Sequence, residues 1–394
     1  FSENAVSSNP LRYTAYMKVD NNFVGPYFTH GLDALRVTIA HEYFHAIQFA
    51  YAYRDMDLFF FEMSSVWFED LAYDGVNDYL QYLPKFFREL HFPLHLQNNW
   101  HEYGAALWLK YWLAHRDLRS LRRMWEKLQT MAALKAIQEE VQEQGVEFPE
   151  AMAEFYSWCL YTGPRHQAGQ YFPEAEAYPT VSYRLERAVP VDTTIVDSVR
   201  ALSARFYLLG IDSRKSISVI LNASDQPFWR ILGVPQKLSG TLGQTVAKKG
   251  PSPYLLKASD NEGSVVLVAV NGALPDNVQV PALSLPLKKY EIAINAIADD
   301  FFSVYPNPLI VNDGAALRIA FQLEQSDDVQ ISIFSEQGNA IFHRDMGMRQ
   351  AGFNQFNWDG KTDEGEMVSS GIYIVLLKPA QGAAQAKKVA IIRP

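Results

Sequence analysis

The apolar residues of this chain change their period twice, and those two changes fix what it can fold into. Up to about Thr162 they recur every three or four residues. This predicts helices over Leu32 to Tyr51, Phe59 to Tyr73, Tyr103 to His115, Leu118 to Met131, Ala133 to Gln144 and Pro149 to Tyr161. In the first helix Leu35, Ile39, Phe44 and Ile47 stand at helical spacing, and Gly145 stops the fifth. From about Tyr178 the pattern becomes short β-type runs at Ala204 to Leu209, Ile217 to Leu221, Trp229 to Val234, Ser264 to Val270 and Tyr290 to Ile294. Clusters of Gly, Pro, Asn and Asp separate them, as in a β-sandwich, with Tyr207, Trp229 and Val265 to Val270 on its inner faces. Tyr305-Pro306-Asn307-Pro308 marks the second change. Strands then follow at Leu317 to Leu323, Val329 to Phe334, Asn354 to Trp358, Ile372 to Leu377 and Lys388 to Ile392, the density of a small immunoglobulin-like sandwich.

The length of 394 residues exceeds the roughly 250 at which single cores stop growing. The expected organisation is therefore multidomain: an α-rich domain over 1–170, a β-sandwich accessory domain over 171–300 and an Ig-like domain over 301–394. A net charge of -9 argues against nucleic acid as a partner. Cys159 is the single cysteine, so no intramolecular disulfide forms. Apolar stretches such as Val265 to Val270 and Ile372 to Leu377 fall far short of the roughly 20 residues of a membrane span, so no transmembrane segment is expected. The chain opens on Phe1 without a basic-then-apolar leader, which predicts a processed or truncated amino terminus.

Within the first predicted helix lies His41-Glu42-Tyr43-Phe44-His45. Two histidines four residues apart project from one helix face and can hold one tetrahedral ion, with Glu42 beside the first. Zn²⁺ brings the pKa of a bound water from about 15.7 towards about 7, and a neighbouring carboxylate then serves as general base in peptide-bond hydrolysis. Such a centre needs a third protein ligand, and the second helix offers Glu62 and Glu69. Seven residues apart, these share a face with Ser65, Val66 and Tyr73, so periodicity does not choose between them. His91 and His95 also stand four apart, but Pro93 between them disfavours a helix, and they read as surface or packing residues.

The stretch Leu58-Phe59-Phe60-Phe61-Glu62-Met63-Ser64-Ser65-Val66-Trp67-Phe68-Glu69-Asp70 resembles the glutamate helix of the gluzincin metallopeptidases. The resemblance implies a zincin-like domain in which Glu62 is the third zinc ligand and Glu69 orients a histidine. Phe61 and Met63 depart from the Asn and Gly usual in that family. His101-Glu102-Tyr103-Gly104-Ala105-Ala106 resembles the segment that supplies an oxyanion-stabilising Tyr or His, which implies that role for Tyr103 or His101. The first 175 residues or so, from His41 through Asn77-Asp78-Tyr79-Leu80 to Trp158-Cys159-Leu160-Tyr161-Thr162-Gly163, look like a group of bacterial metallopeptidases.

In the last domain, Trp358-Asp359-Gly360-Lys361-Thr362-Asp363-Glu364-Gly365 and Ser369-Ser370-Gly371-Ile372-Tyr373 resemble the sorting domains of type IX secretion and the Ig-like domain of flagellar hook-capping proteins. Its carboxylates read as turn formers in Asp359-Gly360 and Glu364-Gly365. With the basic-then-apolar ending Lys387 to Ile392, the resemblance implies a secreted or cell-surface protein addressed to a secretion machinery. The functional expectation is a secreted zinc metallopeptidase acting on polypeptides. The alternative is a surface adhesion protein whose peptidase scaffold is only stabilised by metal.

Overall fold

The computed structural model describes residues 4–6, 9–20, 23, 25, 27–188, 193–210, 216–237, 239–249, 254–257, 262–296, 302–311, 316–323, 325–350 and 352–393. They divide into two compact units, residues 1–214 with 219–294, and residues 295–394 with 215–218.

The first unit opens with a two-stranded antiparallel sheet, Asn4–Val6 with Asn9–Thr14, followed by eight described helices: α1 (Gly31–Tyr51), α2 (Leu58–Ala72), α3 (Leu83–Arg88), α4 (His101–Gly104), α5 (Ala106–Leu113), α6 (Arg119–Lys127), α7 (Ala133–Glu143) and α8 (Phe148–Trp158). Five of the predicted helices coincide with α1, α2, α6, α7 and α8 to within a few residues, and the sixth spans α4 and α5. Gly145, just beyond α7, has φ +77°, the left-handed conformation that ends a helix cheaply only at glycine. The short α3 was not foreseen; its Pro84 sits in the first turn, where the missing N–H has no helical partner to lose.

The apolar residues whose spacing marks α1 are not its innermost ones. Ile39 and Ile47 are both 37% exposed, and Leu35 and Phe44 are half-buried. The buried face is instead Ala34, Val37, Ala40 and Phe49 with the polar His45 and Gln48. The polar pair is buried because it finds partners on α2.

Behind the helices, a five-stranded sheet runs in the order Leu185–Ala188, Ser203–Gly210, Glu262–Asn271, Trp229–Lys237, Val246–Lys249. A four-stranded sheet has the order Thr193–Val199, Lys288–Ala296, Ser216–Ala223, Tyr254–Lys257. Tyr207, Trp229 and Val265 to Val270 are buried, and six consecutive buried residues mean that the strand Glu262–Asn271 is covered on both faces. Although the sequence marks a boundary near residue 170, helices and sheet share one hydrophobic core that runs from Phe60, Trp108 and Phe155 to Phe206, Leu232 and Val268. Polar ties reinforce it. Tyr156 donates to the Leu202 carbonyl at 3.0 Å and Tyr161 to the Gly243 carbonyl at 2.7 Å. The fully buried Arg230 reaches back to Glu147 at 2.8 Å and Glu150 at 3.0 Å. Gly272 is required at the seam, since a Cβ there would stand 2.6 Å from Pro149 Cα.

The second unit is a sandwich. Phe302–Tyr305, Leu317–Leu323 and Gly352–Trp358 form one sheet; Leu309–Ile310, Gln385–Ile392, Gly371–Pro379, Asp327–Ser335 and Ala340–Arg349 form the other. Leu317, Ile319 and Phe321 alternate inward and pack with Val329, Ile331, Val375, Val389 and the buried Trp358. Gly360 and Gly365 take φ +82° and +86°, so both dipeptides are turns as read from the sequence. Among the described residues no helix is long and apolar enough to cross a membrane.

The loop after α3 lies on the seam: Leu94 N–H donates to the Leu202 carbonyl at 2.9 Å, and His95 is only 4% exposed, its ring edge-on to Phe59. Burial, helped by nearby His101 and opposed by the Val280 backbone, holds the His95 pKa down at about 4. The unfolded chain binds this proton near the ordinary value of 6.5 and the folded chain does not. Stability is therefore whole above pH 6.5 and declines as pH falls towards 4, by ~1.4 kcal/mol per unit and ~3 kcal/mol in all. Urea unfolding of His95→Phe should show a flatter dependence over that window than the native chain.

Candidate metal centre

Helical geometry brings the site together from two elements. His41 and His45 stand one turn apart on α1, and Glu62, Ser65 and Glu69 line the face of α2 opposite them. The ligand atoms of His41, His45 and Glu62 all lie within 4.8 Å of one another. His41 Nε2 is 3.1 Å and His45 Nε2 3.6 Å from the same Glu62 oxygen. The two rings meet edge-on, 4.5 Å between centroids.

Which nitrogen faces inward is decided on the far side of each ring. His41 Nδ1 is 2.5 Å from Glu69 Oε1. A carboxylate only accepts, so Nδ1 carries the hydrogen and Nε2 keeps its lone pair. His45 Nδ1 lies 2.7 Å from Gln48 Oε1 and 3.1 Å from Ser65 Oγ. The Gln48 amide nitrogen donates to the Phe61 carbonyl at 3.1 Å, to Ser64 Oγ at 3.0 Å and to Ser65 Oγ at 3.1 Å. Its oxygen must therefore accept from His45 Nδ1–H, which again makes Nε2 the acceptor nitrogen.

Two lone pairs and one carboxylate oxygen thus converge on a small volume. Without a cation this arrangement repels itself and captures a proton. Burial works against a charged His41, yet hydrogen bonds to Glu62 and Glu69 outweigh it and raise its pKa to about 10. Burial likewise opposes ionisation of Glu62, but His41 and His45 pull its pKa down to about 2. A nitrogen-nitrogen-oxygen donor set of this kind fits a zinc ion with a coordination position to spare.

The remaining predicted residues fall as follows. Glu42 is half-buried and makes no ion pair among the described residues. Tyr103 stacks on His41 at 6.2 Å and on Tyr82 at 4.9 Å between centroids. Burial, with the charges of Glu62 and Glu102 and a smaller contribution from Glu42, keeps its hydroxyl protonated well beyond the ordinary range. His101 is turned elsewhere: it is 1% exposed, packs on Phe86 at 4.8 Å and has Nδ1 3.5 Å from Glu89. Of the two oxyanion candidates, only Tyr103 borders the centre. Gln48, Ser64 and Ser65 were not singled out in the sequence as parts of a site. The signal was there, since Gln48 follows His41 by seven residues and His45 by three, a polar side chain on the same helical face.

These contacts give separable outcomes. Glu62→Ala should lose stoichiometric zinc, whereas Glu69→Ala and Gln48→Leu should keep the metal with affinity weakened by about 10–100-fold. Chelator competition followed by metal analysis measures this; zinc lost from Glu69→Ala but kept by Glu62→Ala would reverse the ligand assignment.

Residues 309–382 match the model of the FlgD Ig-like domain, in keeping with the sandwich described for the second unit. No curated protein matches the chain significantly. Among solved structures, FlgD from P. aeruginosa is 20% identical over 23% of this chain and 69% of its own, with a TM-score of 0.19. PorZ, an essential bacterial surface component of the type-IX secretion system of Porphyromonas gingivalis, is 18% identical over 35% of this chain and 15% of its own, with a TM-score of 0.20. The pre-peptidase C-terminal domain of a collagenase from Bacillus anthracis is 15% identical over 30% of this chain and all of its own, with a TM-score of 0.20.

Proposed function

We propose that the chain is an exported, zincin-like zinc metallopeptidase, with His41, His45 and Glu62 as metal ligands, Glu42 as general base and Tyr103 as donor to the carbonyl oxygen. The observation that carries this reading is the pair of Nε2 lone pairs turned on Glu62 while Glu42 stands beside them without an ion pair among the described residues. A purely structural metal site has no use for a base next to its ligands.

Zinc, when bound, supplies Lewis acidity, polarising a carbonyl and acidifying water. Glu42 takes the proton of the attacking water and passes it to the leaving amine nitrogen, which makes an amide the natural substrate bond. Tyr103, braced between His41 and Tyr82, donates its hydroxyl hydrogen to the oxygen on which negative charge develops. Glu69 and Gln48 hold the rings so that neither imidazole turns during the reaction. A polypeptide is the substrate class.

The Ig-like match over 309–382 supports export. With the basic-then-apolar ending Lys387 to Ile392, that domain resembles the sorting domains of type IX secretion, so we read it as the address for a secretion machinery and the cell surface or medium as the destination.

Glu42→Gln should retain one zinc per chain while cleaving casein about 10²–10⁴-fold more slowly. Tyr103→Phe should lower kcat by about 10²–10³-fold with little change in KM. Zinc-loaded protein that leaves casein and peptide libraries intact, or a Glu42→Gln variant as active as the native chain, would favour the adhesion scaffold instead.

A further inference from the structure

Away from the metal centre, a cavity of 230 Å³ opens between the end of α3, the segment 182–184 and the strand Ser203–Gly210. Its polar lining is Arg88, His91, Ser182, Tyr183, Arg184 and Arg205, with no carboxylate among the lining residues. In a chain of net charge -9, three guanidinium groups around one small cavity are a marked local excess of positive charge. The backbone holds them there. The Ala204 N–H donates to the Leu90 carbonyl at 3.0 Å, and the Arg184 N–H to the Phe206 carbonyl at 2.7 Å, so both walls are stitched to the same strand.

The charges are poorly matched from within. Arg184 has Asp197 at 3.5 Å, while Arg88 and Arg205 have no ion-pair partner among the described residues. The nearby Glu89 is engaged with His101 at 3.5 Å and with Asn98 at 3.1 Å. Arg205 Nε is buried without a hydrogen-bond partner among the described residues, a condition that costs stability unless something fills it. Burial and the Arg205 charge hold His91 below its ordinary pKa, against the opposite pull of Glu89.

We propose that this cavity binds a small divalent oxyanion, a phosphate group or a compact dicarboxylate, gripped by the Arg205 and Arg88 forks with Arg184, His91 and Ser182 at its rim. Guanidinium groups pair with either oxyanion through two parallel N–H donors, and a cavity of 230 Å³ holds such a group together with bridging waters.

Calorimetric titration of the full chain at low salt with inorganic phosphate, malonate and acetate tests this. Saturable one-to-one binding of phosphate or malonate is expected, with whichever binds tighter identifying the source, and with acetate weaker. Loss of a charge-assisted pair should weaken binding about tenfold or more in Arg205→Gln. Arg88→Gln should weaken it too, and since Arg88 is exposed its removal does not disturb the core. His41→Ala should bind as the native chain does. Absence of saturable binding, binding unchanged in both arginine variants, or binding lost in His41→Ala would overturn the proposal, the last by placing the anion at the metal centre.

Discussion

The candidate metal centre depends on what is done to the two Nδ1 atoms. An imidazole presents a lone pair at one nitrogen only when the other carries the hydrogen, and here Glu69 and Gln48 fix that choice on the two rings. The holders differ in charge for a reason that burial explains. Glu42, Glu62 and Glu69 already bring three carboxylates to the neighbourhood of the two rings. A fourth carboxylate in place of Gln48, which is 1% exposed, would be an uncompensated buried charge. An amide orients His45 without adding to the charge, and its own nitrogen is satisfied by the Phe61 carbonyl and two serines on α2.

That arrangement holds only if α2 cannot rotate. Phe59, Phe60, Phe61, Met63, Val66 and Trp67 are all buried, so α2 is apolar around most of its circumference, and Glu62 and Glu69 leave it on the α1 side alone. Turning the helix would expose several aromatic rings to free two carboxylates. Each buried Phe or Met stabilises by about 1.5–3 kcal/mol, so packing far outweighs any preference of the site for another geometry. Because this core continues into the five-stranded sheet, the platform beneath the centre is larger than the helices themselves.

Much of this was legible in the sequence where a period and a chemical type coincided. The histidine pair, the two glutamates on one face and the inward strands of the second unit all follow from fixed spacing. The inner face of α1 was not legible, because it mixes Ala34, Val37, Ala40 and Phe49 with the polar His45 and Gln48 while the larger Ile39 and Ile47 lie on the exposed side, so hydrophobic contrast does not reveal it. Ala340–Arg349 escaped notice because it is a largely exposed strand with charged side chains, and Thr193–Val199 because its alternation is weak. The shared core across residue 170 was illegible for another reason: a change of period shows where one kind of element stops, and says nothing of which faces are later buried together.

The choice between Tyr103 and His101 shows how a local rule and one distant contact combine. Residues two apart on a helix point to opposite sides, so only one of them can face the metal ligands. The sequence does not say which. The contact that settles it is at Gly104, where a Cβ would stand 2.5 Å from Phe86 Cβ. Only glycine lets α4 lie this close on α3, and in that position His101 is pressed against Phe86 and Glu89 while Tyr103 swings over His41. The hydroxyl that borders the centre is thus set by the absence of a side chain one residue further on.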